Sequence, residues 1–253
     1  ASHAFVHVDE RVLAQYGRLS MEKFSASKAA RLISCHGSAN LEQAIPGWQE
    51  PDQSTKASER GTALHALFEQ ANTLKTADLL RFTEALTYVA YLRKGRRFKV
   101  LTECAIDVDW TQQPTKSTAD LVLYTQDELH IIDLKAGKIP VDSYDNSQLK
   151  FYALSFAHLA PKAEGVTGHI VQPWANNTNS TFYSAQELAD FKQDVLSAEQ
   201  DILDGDLTLT PSDECLLCPA NPHSRGAKGS PFCPAMMNVL YPLQINEQEI
   251  LDV

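Results

Sequence analysis

No apolar run in this 253-residue chain approaches the ~20 residues that a membrane-spanning helix needs. The N-terminus, Ala-Ser-His-Ala-Phe, lacks a basic stretch followed by an apolar core, so nothing there reads as a signal peptide. Together these absences predict a cytoplasmic protein with no membrane partner. Positive charge is also scarce: 22 Lys and Arg against 32 Asp and Glu leave a net charge of −10. That argues against a surface coated for tight nonspecific nucleic-acid binding. Any contact with phosphate must then be local. One local track exists, because Tyr91 to Lys99 carries five positive charges in nine residues. It reads either as a solvated helix end or as a phosphate contact. No internal repeat is present.

What remains is an ordinary globular composition, 43% hydrophobic and 21% charged. Its length suits one large domain, or a core with an appended subdomain. Apolar periodicity and breakers predict helix over 20–45, entered through Ser25 or Ser27, and loop over 46–58. Ser58 caps a predicted helix over 59–74, and another helix fits 77–94. The period then changes to strands at 99–109, 117–125 and 128–135. Helix returns at 147–160, strand at 166–174, and helix at 184–204, ended by Asp204-Gly205. Beyond Pro211 the chain is rich in Pro, Gly and Cys, and a tail of that kind needs a staple.

The run from Ser117 to Tyr124 and the run from Leu129 to Lys135 are separated by Gln126-Asp127. A two-residue turn there makes a hairpin with Thr125 facing Glu128. Every cross-strand pair then sums to one total, and Asp120 falls opposite Asp133. Such partners have Cβ atoms ~4.5–5.5 Å apart. Lys135, two residues beyond Asp133, shares its face, while Leu121, Leu123, Ile132 and Leu134 line the other. Two acids among strand-forming apolars are costly unless neutralised, and a hard divalent cation such as Mg²⁺ does that. A slip of one residue would send one acid to the wrong face; the plain alternative is a solvent-facing hairpin with a salt-bridging lysine.

Two helical pairs accompany the hairpin. Gly61 and His65 lie four apart on a predicted helix, where His65 is either a metal ligand or a core histidine. Gln148 and Tyr152 lie four apart after the hairpin and share one helix face. They either orient a catalytic group or phosphate, or form an amphipathic boundary.

Five cysteines are unevenly placed: Cys35 and Cys104 stand alone, and Cys215, Cys218 and Cys233 crowd near the end. An odd count with a CxxC pair favours a metal or cluster site over disulfides. Three close ligands need a fourth. Zinc suits Cys₄ or Cys₃His sets, with His36 and His223 as candidate substitutes. An iron–sulfur cluster takes four thiolates. Free thiols are the third reading, and Cys104 reads as a small core residue.

In order, the chain shows Gly-xxx-His, Asp120 ahead of a β-run, Ile-Ile-Asp-Leu-Lys-Ala-Gly-Lys, Gln-xxx-Tyr, and a cysteine cluster. This resembles the RecB-like branch of the PD-(D/E)XK nucleases, nearest to phage-associated members and to the nuclease of CRISPR adaptation, across roughly 25–240. Ser117 departs from a glycine common three residues before the first Asp, which touches local turn geometry only.

The resemblance implies a mixed α/β fold: a restriction-endonuclease-like central sheet flanked by helices, with an N-terminal helical part and a cysteine-rich C-terminal tail. The three parts would be 1–95, with Cys35 and His65; a nuclease core, 96–210; and 211–253, packed back on the first. His65, Asp120, Asp133 and the Leu134 carbonyl would hold Mg²⁺ or Mn²⁺. Lys135 would orient or activate the attacking water, Gln148 and Tyr152 would position Lys135 or the phosphate, and Glu103 would give a supporting contact.

Cys35, Cys215, Cys218 and Cys233 would bind [4Fe–4S], with structural Zn²⁺ as the rival. The implied activity is a DNA exonuclease acting on single-stranded or end-bearing DNA, in phage recombination or defence, in a bacterial or phage-infected cell. A recombinase or helicase is the implied protein partner. The competing readings are a catalytically weak DNA-end adaptor and a cluster-bearing scaffold.

Overall fold

Thr125 and Glu128 close the hairpin, as their sequence predicts. The Thr125 amide donates to the Glu128 carbonyl at 2.9 Å, and the Thr125 hydroxyl accepts from the amides of Asp127 and Glu128. Here the side chain of the residue before the turn fixes the turn itself. The computed structural model of the chain describes residues 6–7, 24–43, 76–206, 208–216, 218, 220–221, 233 and 235. The predicted loop 46–58, the helix 59–74 and His65 with it lie outside the described residues.

The chain divides into two compact units. One takes its described residues from 6–7, 31–43 and 197–235, the other from 24–30 and 76–196. In the first unit, β1 (Val6–His7) pairs antiparallel with β7 (Thr208–Leu209). The helix predicted over 20–45 is in fact two short ones, α1 (Ala29–Ser34) and α2 (Gly37–Gln43). Ser38 explains the break. Its hydroxyl and amide both bond the Cys35 carbonyl, at 2.6 and 3.1 Å, and its hydroxyl also accepts from buried Arg31. A serine bonded to a nearby carbonyl in this way competes with helix continuation.

The second unit is built on a five-stranded sheet of order β2-β3-β4-β5-β6. Its strands are β2 (Lys99–Val108), β3 (Thr115–Tyr124), β4 (Leu129–Leu134), β5 (Gly165–Gln172) and β6 (Asn177–Ser184). Only the β4–β5 pair is parallel. That pair requires a crossover, which α4 (Ser147–Phe156) supplies. Asn146 caps α4, its side chain accepting from the Leu149 amide at 3.1 Å. Helices α3 (Thr76–Arg93) and α5 (Ala185–Leu203) complete the order.

The β3–β4 register confirms the predicted total: Leu121 pairs Ile132, Val122 pairs Ile131, Leu123 pairs His130 and Tyr124 pairs Leu129. Leu121, Leu123, Ile132 and Leu134 pack with Ala85 and Val89 of α3, Phe98 and Val171. Helix α4 covers the other face. A Cβ on Gly168 would stand 2.8 Å from the Tyr183 ring and 3.0 Å from Leu149 Cδ1, so only glycine lets α4 and β6 approach β5 this closely.

Strand β6 was not predicted. Asn176, with φ of 50°, makes the tight turn that starts it. The strand predicted over 166–174 ends at Gln172, because Pro173–Ala175 form a 3₁₀ turn. Helix α4 likewise stops at Phe156 and continues only as a 3₁₀ turn, Ala157–Leu159. Cys104 is half-buried on edge strand β2, not a core residue. No helix among the described residues is long and apolar enough to cross a membrane.

Candidate active site

Asp120 and Asp133 occupy the next register position beyond Leu121↔Ile132, so they face each other across β3 and β4. The ladder gives way there to a side chain: the Leu134 amide donates to Asp120 Oδ2 at 2.7 Å. Both acids are buried, at 6% and 3% exposure. Lys135 Nζ lies 2.9 Å from Asp133 Oδ2 and donates to Gln148 Oε1 at 2.7 Å. Gln148 Nε2 in turn donates to the Tyr152 hydroxyl at 3.2 Å. Helix periodicity makes this possible, since residues four apart on α4 stack over the strand face that carries Asp133.

Asp133 Oδ2 is a buried oxygen with no hydrogen-bond donor, because its contact with Lys135 is an ion pair lacking hydrogen-bond geometry. A buried carboxylate oxygen in that state is expensive unless a cation faces it, and the Lys135 ammonium is such a cation. Burial pushes the Tyr152 phenol well above its usual range. The Gln148 bond opposes this, and the charges of Asp133, Asp120 and Glu103 raise it further. Tyr152 is therefore a neutral hydrogen-bonding group at neutral pH.

Glu103 joins the two aspartates. It falls between the pairs Thr102↔Leu121 and Cys104↔Ala119, opposite Asp120. Three carboxylates thus form one row across β2, β3 and β4, with neighbouring strands ~4.8 Å apart. Glu103 has φ of 44°, in mid-strand, where a non-glycine residue is strained.

The structure brings together Asp120, Asp133, Lys135, the Leu134 backbone, Gln148 and Tyr152. It does not bring the basic track to them. Arg96 pairs with Glu128 at 2.6 Å and stacks on Phe98, and Lys99 lies over Tyr124. Glu128 is five residues from Asp133 along the chain, about 17 Å at strand rise. The track is engaged at the opposite end of the hairpin.

Within the other unit, Cys35, Cys215, Cys218 and Cys233 line one cavity of about 20 Å³ with Arg31 and Glu214. None of the four is in a disulfide. Cys35 Sγ accepts from the Thr210 amide and Cys215 Sγ from the Ser212 amide, both at 3.3 Å. Burial pushes up the thiols of Cys35 and Cys218, the latter to about 11. His36 turns to Asp206 and Asp201, at 3.2 and 3.4 Å, and His223 lies outside the described residues. Among the described residues, no three His, Cys, Asp or Glu side chains are arranged as ligands of a single ion.

Sequence reasoning missed a set of amides that hold the segment following Lys135. Gln172, 1% exposed, donates to the carbonyls of Gly137 and Ile139 and accepts from the Val141 amide. Asn177 and Asn179 both donate to the Val141 carbonyl. Asn179 also accepts from the Ser143 amide, at 2.6 Å. A period-2 pattern at 177, 179, 181 and 183 was the available signal, but it lay in polar residues that read as loop.

Residues 87–253 match the model of a family described as "Protein of unknown function (DUF2800)". Among solved structures, one from Eubacterium rectale, described provisionally as an exonuclease, is 15% identical with a TM-score of 0.50, covering 91% of this chain and 95% of that one. It shares the mixed sheet flanked by helices. Another, SSO0001, is 14% identical with a TM-score of 0.38, covering 83% and 89%, too distant to carry weight.

Proposed function

We propose, for a chain that belongs to the DUF2800 family of proteins of unknown function, a metal-dependent nuclease that hydrolyses phosphodiester bonds of DNA. The observation that carries this is Lys135 Nζ, held between Gln148 and the buried carboxylate of Asp133, which faces the buried Asp120 across the hairpin. The fold shared with a provisionally described exonuclease is consistent with it. The donor set suits a hard cation: Asp120, Asp133 and the Leu134 carbonyl would hold Mg²⁺ or Mn²⁺. When bound, such an ion polarises the phosphate and lowers the pKa of an attacking water.

The chain's own residues do the rest. The Lys135 ammonium orients the water and meets the charge that builds on the phosphate as the P–O3′ bond breaks. Gln148 fixes Lys135 by accepting one of its three protons, and Tyr152 fixes the Gln148 amide. With one proton on Gln148 and Nζ held beside Asp133, the directions of its two remaining donors are restricted before substrate arrives, which lowers the reorganisation in the barrier. We place the activity on single-stranded or end-bearing DNA in the cytoplasm, in phage recombination or defence.

The four cysteines are proposed to hold a metal centre that staples the tail, [4Fe–4S] ahead of Zn²⁺. The cavity they line is about 20 Å³, room for roughly a single water molecule.

The test is cleavage of end-labelled DNA with Mg²⁺ or Mn²⁺ and with chelator. Divalent-dependent cleavage supports the nuclease. Binding of DNA ends without cleavage, by folded and metal-loaded protein, moves the function to an end-binding adaptor.

A further inference from the structure

The segment 136–146 leaves the sheet at Lys135 and returns two residues before Gln148. The Lys135–Gln148 bond, at 2.7 Å, therefore closes its neck. A surface loop of this length with joined ends is an Ω-loop, a kind often used in function.

Its inner side is held down along its length. Gln172 bonds Gly137, Ile139 and Val141. Asn177 and Asn179 bond Val141. Asn179, Thr181 and the Tyr183 hydroxyl bond Ser143. The last turn is fixed as well: the Tyr144 amide donates to Asp142 Oδ1, and Asn146 Nδ2 donates to the Asp142 carbonyl.

Its outer side is the reverse. Tyr144 is 77% exposed and Ile139 71% exposed, with Lys138 also in solvent. Tyr144 and Ile139 thus offer apolar surface to solvent from a backbone that is already fixed. Chain length bounds where that surface lies. Tyr144 is four residues from Gln148 and Lys138 three from Lys135, so their Cα atoms are within about 14 Å and about 11 Å of those residues.

We propose that this loop guides a single-stranded nucleic acid into the site, with the Tyr144 ring stacking on an unpaired base and Lys138 meeting a phosphate of the same strand. This rests on the nuclease reading above for its substrate class. The two ends of the loop are Lys135 and Gln148, so the loop borders any polymer held at Lys135. An exposed aromatic face and an exposed cation on one loop match a base and a phosphate of one strand. A duplex hides its base faces, so the ring selects the unpaired strand. The immobilised backbone limits the ordering entropy lost on binding.

The test is binding, measured apart from cleavage, by fluorescence anisotropy of a labelled oligothymidine and of a blunt duplex, on the full chain in chelator. Tyr144→Ala should weaken single-strand binding about tenfold, with a much smaller change for the duplex, and Tyr144→Trp should restore it. Circular dichroism should show the variants folded, since the ring is exposed. Equal single-strand affinity for wild type and Tyr144→Ala, or no single-strand binding by wild type, overturns the proposal. Cleavage by wild type with no effect of Tyr144→Ala on binding sinks the loop's role and leaves the nuclease. Loss of binding in Tyr144→Ala, from a wild type that never cleaves, does the opposite.

Discussion

Lowering the pH from 7 to 5 should remove about 2 kcal/mol of stability through His169 alone. The ring is 2% exposed on β5. Its Nδ1 meets the Tyr88 hydroxyl at 2.9 Å and its Nε2 meets His130 Nδ1 at 3.0 Å. Burial first, and His130 second, push its pKa down to about 3. In the unfolded chain it titrates near ~6.5. Above that pH neither state holds the proton and the stability is complete. As pH falls below it, the unfolded chain takes up a proton that the native ring refuses until about 3. Stability is therefore lost progressively as pH falls through that window.

Integration from pH 7 to 5 gives about 2 kcal/mol. His130, also shifted down chiefly by burial, adds in the same direction. Urea denaturation of wild type and His169→Gln, followed by tryptophan fluorescence at both pH values, isolates the ring. The wild type should lose about 2 kcal/mol more than the variant between pH 7 and 5. Equal losses would refute the reasoning.

Gly168→Ala should lower stability by about 1–3 kcal/mol, because its Cβ would meet the Tyr183 ring at 2.8 Å. The urea midpoint should fall at constant m, and an unchanged or raised midpoint would contradict the close approach. Gln172→Leu strips two carbonyls and one amide of the 136–146 loop of their partners. It should cost about 1–3 kcal/mol or more, and amide exchange at Val141 should quicken well ahead of β4; equal protection there would refute the clamp. Cys35→Ala and Cys218→Ala should each reduce bound iron and sulfide, or bound zinc, measured on anaerobically purified protein. Full metal content in both variants would remove these cysteines from the proposed centre.

The hairpin was legible because three local signals agreed: a turn pair, strand alternation, and acids in step. The structure keeps that register residue for residue. The place of Gln148 and Tyr152 over Lys135 was legible only as a shared helix face; that α4 lies on the Asp133 side is a tertiary fact. Strand β6 was not legible. Asn177 and Asn179 have poor strand propensity, and their strand is set by pairing with β5. The break at Cys35 was hidden because apolar periodicity runs through it, while the Ser38 bonds that cause it are not a spacing. Glu103 was legible as a neighbour, but its place in a row of three acids needed the β2–β3 register. The basic track was legible as charge, yet its partner Glu128 lies 32 residues beyond Arg96.

Cleavage of end-labelled single- and double-stranded DNA by wild type and Lys135→Ala, in Mg²⁺ or Mn²⁺, tests most directly whether Lys135 and its two carboxylates form a nuclease centre. Wild type should cut only with metal, and Lys135→Ala should be slower by about 100-fold or more, the scale of losing one charge-stabilising donor. Cleavage by Lys135→Ala at the wild-type rate, or none by folded, metal-loaded wild type, would contradict it.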